Sequence, residues 1–85
     1  MRKTVLHSIE EPNGGLCVDL FRRPDGSHGF EVYRRDSEDA RGWYPIGGYY
    51  EQRYADETTA LGAAIAAQPW LEEVLRTLRR VPPIL

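Results

Sequence analysis

Apolar and polar residues alternate along Leu16–Arg23 and again along Ser27–Arg35, and Pro24-Asp25-Gly26-Ser27 stands between the two runs. Alternation with a period of two marks half-buried β-strands. Pro-Asp followed by Gly suits a type I turn closed by a left-handed residue, so the two runs read as a hairpin with a three-residue loop. That loop pairs Arg23 with Ser27. It therefore sets Leu20 opposite Phe30, Val18 opposite Val32 and Leu16 opposite Arg34. These even-numbered positions are mostly apolar and are expected to face the core.

Similar reasoning extends to both flanks. Thr4–Ile9 reads as a short strand, and Glu10-Glu11-Pro12-Asn13-Gly14-Gly15 as the turn that follows it. Asp36–Gly42 reads as a charged loop. Trp43–Tyr54, rich in aromatics and interrupted by Gly47-Gly48, is expected to be a further strand. Setting Trp43 across from Arg35 brings Ile46 to Val32 on the core face, and a bulge at the glycine pair would shift the register beyond it. Asp56 is placed to cap a helix running to Gln68, whose alanines allow close approach to a sheet while Leu61 and Ile65 supply apolar contact. Pro69 opens a second helix over about 70–80, with Trp70, Leu71, Val74, Leu75 and Leu78 on one stripe, Arg76, Arg79 and Arg80 in its last turn, and Pro82-Pro83 ending it.

Strands first and helices after predict one α+β domain over residues 1–85. It is a three- or four-stranded antiparallel meander (strands about 4–9, 16–23, 27–35 and 43–54) covered on one face by one or two C-terminal helices (about 57–68 and 70–80). The expected core is Leu16, Val18, Leu20, Phe30, Val32, Ile46, Leu61, Ile65, Val74 and Leu75.

Composition narrows function by exclusion. The 85 residues are 41% hydrophobic and 28% charged, with a net charge of −2. Neither half carries the basic excess that phosphate contacts require of a dedicated nucleic-acid binder. Cys17 is the single cysteine. It excludes an intramolecular disulfide and fits a reducing cytoplasm. No secretory signal core or membrane-length apolar run is visible. Phosphate-loop spacing is absent around both glycine pairs, and His7, His28 and Cys17 lack metal-ligand spacing. No nucleophile has an orienting partner, so no enzyme, metal or cofactor is expected.

The strand register does single out one surface. On the face opposite the core it gathers Cys17, Asp19, Phe21, Gly29, Glu31, Tyr33, Trp43, Pro45 and Tyr49. Phe21, Gly29 and Tyr49 are expected in one cross-strand row, Tyr33 beside Pro45, and Arg35 stacked on Trp43. Asp19 and Glu31 fall directly opposite each other, a destabilising arrangement that calls for compensation. An acid–base or cation-binding role for that pair is the weaker alternative to a solvated or covered face. The face is expected to dock a protein partner or a second copy of the chain through Asp19, Phe21, Glu31, Tyr33, Trp43 and Tyr49. The alternative is a nucleic-acid contact at the turn end through Arg22, Arg23 and Arg53.

Arg23-Pro24-Asp25-Gly26, Gly42-Trp43-Tyr44-Pro45-Ile46-Gly47 and Tyr54-Ala55-Asp56-Glu57-Thr58-Thr59-Ala60-Leu61 give a plan that resembles small, uncharacterised bacterial proteins with a three-stranded sheet followed by a helix. More loosely, it is similar to the arm-type DNA-binding domain of tyrosine recombinases. That resemblance implies a sheet entering the major groove with basic and polar side chains, whereas the corresponding face here carries Asp19 and Glu31. The likeness covers about half the chain and bears on fold more than on function.

Overall fold

The computed structural model describes residues 2–35 and 42–80. Four strands form one antiparallel sheet in the order β1 (Thr4–Glu10), β2 (Leu16–Arg22), β3 (His28–Arg35) and β4 (Trp43–Pro45). A single 3₁₀ turn, Tyr49–Glu51, leads to α1 (Glu57–Ala67) and α2 (Trp70–Arg80). The expected loop at 36–42 falls outside the described residues except for Gly42, and the Pro82-Pro83 stop lies outside them altogether.

The central hairpin has the register that its turn chemistry dictates. Leu16 faces Arg34, Val18 faces Val32 and Leu20 faces Phe30. Arg23 N–H donates to Ser27 O at 2.8 Å and Gly26 N–H to Arg23 O at 3.0 Å, while Gly26 sits at φ +90°, where a side chain would be strained. Asp25 Oδ1 accepts from Ser27 N–H at 2.9 Å and from the Ser27 hydroxyl at 2.7 Å, holding the loop closed.

On the helix-facing side the core gathers Ile9, Val18, Leu20, Phe30 and Val32 from the sheet, Ala60 and Ala64 from α1, and Leu71 from α2. Each large apolar side chain fully withdrawn from water contributes on the order of 1.5–3 kcal/mol. Leu16, Leu61, Ile65, Val74 and Leu75 pack against this cluster half-buried. Ala60 and Ala64 are one turn apart, and their small side chains let α1 lie close on β2 and β3. Asp56 Oδ1 accepts from Thr59 N–H at 2.7 Å, satisfying a free amide at the start of α1.

Beyond Pro45 the structure departs from a continuous strand over 43–54. Ile46 N–H still reaches Val32 O at 2.9 Å, but Gly48 adopts φ +68° and the chain leaves the ladder. It returns only at Tyr54, which forms a two-bond bridge with His28. Ile46 is consequently 40% exposed and outside the core. Tyr49 fills that space instead, on the core side, with its ring stacked on Phe30 at 4.9 Å. The excursion thus reverses the expected side for Tyr49 and brings Tyr50 to the outer face, 5.5 Å from Phe21.

A bulge also interrupts β1. Val5 opposes Phe21 and His7 opposes Leu20, so Leu6 is the extra residue. The facing shifts by one residue there: Ser8 and Glu10 lie on the outer face opposite Asp19 and Cys17, while Ile9 turns inward opposite Val18.

Candidate functional site

The sheet face away from the helices divides into a closed half and an open half. At the turn end, Phe21 is fully buried. It lies over Gly29, its cross-strand partner, and against Tyr50. Two cations flank this aromatic pair. Lys3 Nζ stands 4.8 Å from the Phe21 ring centre and 4.6 Å from that of Tyr50. The Arg23 guanidinium carbon stands at 4.9 and 5.4 Å from the same rings. Arg23 is itself buried. Its guanidinium donates to the carbonyls of Tyr50, Gln52 and His28 and to the Ser27 hydroxyl, tying the 49–52 excursion to the hairpin.

Asp19 and Glu31 are direct cross-strand neighbours, and two separate donor sets make this tolerable. Glu31 is only 4% exposed: Oε1 accepts from Val32 N–H at 2.9 Å and Oε2 from Tyr50 N–H at 3.2 Å. Asp19 Oδ1 accepts from the Ser8 hydroxyl at 2.6 Å, with the Cys17 thiol 3.6 Å from the same oxygen. With both oxygens of Glu31 engaged by backbone amides beneath the surface, the pair is not arranged as an exposed acid and base.

The open half is a hollow of about 460 Å³ lined by Ser8, Glu10, Cys17, Asp19, Tyr33 and Trp43. Its character is acidic with an aromatic rim. Burial pushes the Tyr33 phenol above its usual range, and the nearby Asp19 and Glu31 carboxylates push it further. Cys17 is likewise raised, chiefly by burial, with Asp19 and Glu10 adding to the effect and the Ser8 hydroxyl opposing it. Both groups therefore hold their protons at neutral pH. Among the described residues no cationic side chain pairs with Asp19 or Glu10. Arg35 stacks on Trp43 at 4.6 Å and donates to Gly14 O at 3.1 Å, which secures the indole at the rim.

Of the residues expected to form a docking face, Asp19, Tyr33 and Trp43 come together in this hollow. Phe21 and Glu31 are withdrawn beneath the 49–51 turn, and Tyr49 lies on the opposite side of the sheet. Ser8 and Glu10 belong to the hollow through the Leu6 bulge, which unbroken alternation along the first strand does not reveal. The basic corner is also rearranged. Arg23 is buried and committed to four acceptors, and Arg53 Nη1 binds Asp25 Oδ2 at 2.6 Å. Arg22 remains exposed beside Arg2, in a second hollow of about 450 Å³ at the turn end. The three arginines therefore do not form one free basic surface.

Among the described residues no three His, Cys, Asp or Glu side chains converge in a way that could hold a metal ion. Nor is any helix among them long and apolar enough to cross a membrane. A scan against protein-family models finds no match, and searches of curated proteins and of solved structures find no significant similarity.

Proposed function

We propose that this chain is a non-enzymatic protein-interaction module whose acidic, aromatic-rimmed hollow receives a basic segment of a partner protein. The observation that carries the reading is Asp19. Its carboxylate sits in the wall of a concave site, and among the described residues its side-chain partners are a hydroxyl and a thiol. A lysine or arginine side chain entering the hollow finds Asp19 as its charge partner and Tyr33 and Trp43 as ring faces. Charge-assisted hydrogen bonds and cation–π contacts are the interactions such a site offers.

The test is titration of the isotope-labelled chain with short synthetic peptides carrying paired Arg or Lys, followed by amide and indole resonances. The expected result is saturable shifts at Tyr33, Asp19 and the Trp43 indole. Asp19→Asn should weaken them about tenfold, and so should Trp43→Ala, because both remove contacts made at the site. Absence of saturable binding overturns the reading. So does a response to acidic peptides or to an oligonucleotide at Arg22 that bypasses the hollow.

A further inference from the structure

Independently of the hollow's occupant, we propose that a second copy of this chain docks along the free edge of β1, antiparallel and in the register that sets Lys3 of each copy opposite Glu10 of the other. Three features lead there. Among the described residues β1 bonds only to β2, so its other edge is an unpaired strand edge along Thr4–Glu10. Its ends carry opposite charge, Arg2-Lys3 at one and Glu10-Glu11 at the other. Antiparallel self-pairing brings these ends together, with Lys3 facing Glu10 and Arg2 facing Glu11 on both sides of the two-fold axis.

The bulge selects this register. Because the facing changes at Leu6, Val5, Ser8 and Glu10 lie on the outer face, as does the Lys3 ammonium over Phe21, whereas Thr4, His7 and Ile9 lie on the helix side. Residues directly opposed in an antiparallel pair must share a face. With Lys3 opposite Glu10, Val5 meets Ser8 on the outer face and Thr4 meets Ile9 on the helix side. A slip of one residue in either direction sets outer residues against helix-side ones. The bulge that would discourage other edge pairings is matched by its own copy in this one.

The helix side supplies the rest of the interface. A mainly apolar hollow of about 280 Å³ lies along the same edge, lined by Ile9, Leu20, Leu61, Leu75 and Leu78 together with Thr58 and the His7–Glu57 pair, whose Nε2 and Oε1 are 3.0 Å apart. Leu78 is 59% exposed although it continues the buried stripe of α2. A two-fold axis normal to the sheet keeps both helix layers on one side, so these hollows adjoin across the new ladder. A stable dimer buries roughly 800 Å² per partner, about an eighth of this chain's 6063 Å² surface. Strand edge and α2 stripe together provide a surface of that kind, and Tyr33 and Trp43 remain clear of it on β3 and β4.

Sedimentation equilibrium on the full chain tests the proposal. The wild-type protein is expected to show dimer mass. Lys3→Glu and Glu10→Lys should each weaken dimerisation at least about tenfold, and the double exchange should restore it. Leu78→Glu, at an exposed position where folding is not at stake, should weaken it as well, with the circular dichroism spectrum unchanged. A wild-type chain that stays monomeric up to millimolar concentration overturns the proposal. So does a dimer indifferent to these changes, or single exchanges whose combination fails to recover.

Discussion

The ring of Phe21 rests on the bare backbone of Gly29, the residue directly across the ladder. A β-carbon built at Gly29 would stand 2.8 Å from Phe21 Cζ and 3.1 Å from Arg23 Nη1. This glycine is needed for space, since its backbone is ordinary extended strand. Gly29→Ala should therefore destabilise the fold by about 1–3 kcal/mol, the usual cost of overpacking a filled site. Urea denaturation at neutral pH measures it, and Gly29→Ala combined with Phe21→Leu should recover part of the loss. A stability equal to wild type would show that the ring moves aside freely.

Arg23 makes a second, separable contribution. Its guanidinium donates to three carbonyls and a hydroxyl while lying over two rings. Arg23→Ala leaves the Tyr50 and Gln52 carbonyls without that donor and is expected to cost about 2–3 kcal/mol. Arg23→Lys should rescue little of it, because a single ammonium cannot span the acceptors that the planar fork reaches. Amide exchange localises the effect: residues 49–54 should lose protection before the β2–β3 hairpin does.

The hairpin was legible because its turn residues act locally. Pro24, Asp25 and Gly26 define a reversal that needs no knowledge of the rest of the chain, and the Val18–Val32 and Asp19–Glu31 pairs follow from it. The cap at Asp56 and the Arg35–Trp43 stack were readable for the same reason. After Pro45 no such local rule operates. Whether Tyr49 or Tyr50 turns inward depends on Gly48 adopting a left-handed conformation, and that in turn on Phe30 offering a ring to stack against. Alternation also misleads for Arg23. It places the residue on the outer face, but burial there depends on carbonyls almost thirty residues away in sequence. The hollow was half legible: Asp19, Tyr33 and Trp43 follow from the hairpin register, whereas Ser8 and Glu10 require the bulge at Leu6.

Acid should weaken the fold through two exposed carboxylates. Asp25 is held below the ordinary aspartate value of 3.8 by the Ser27 hydroxyl and amide and by Arg53. Asp56 is held below the same value by the Thr59 amide. A carboxylate with a depressed native pKa stabilises the fold fully above its unfolded value. That stability disappears as pH falls through the lower native values. Urea midpoints followed from pH 5 down to pH 2 should decline less steeply in Asp25→Asn/Asp56→Asn than in the wild type. Parallel curves would mean that neither group is linked to folding.

The alkaline side should show the opposite linkage, centred on the hollow. Burial and neighbouring carboxylates raise Cys17 above 9.0 and Tyr33 above 10.0. The unfolded chain therefore releases these protons more readily than the folded one, and stability falls as pH rises above the unfolded values. Tyr33→Phe should be less sensitive to alkali than the wild type between pH 9 and 11, and the difference between the two curves reports the phenol. The same environment makes Cys17 a slow nucleophile, since the thiolate is the reactive form and the residue is only 6% exposed. Its reaction with an aromatic disulfide reagent at pH 8 should be at least about a hundredfold slower in the native protein than in urea. Ser8→Ala removes the hydroxyl that opposes the upward shift and should slow it further. Native reactivity matching that of the denatured chain would mean that Cys17 does not lie in this buried, acidic wall.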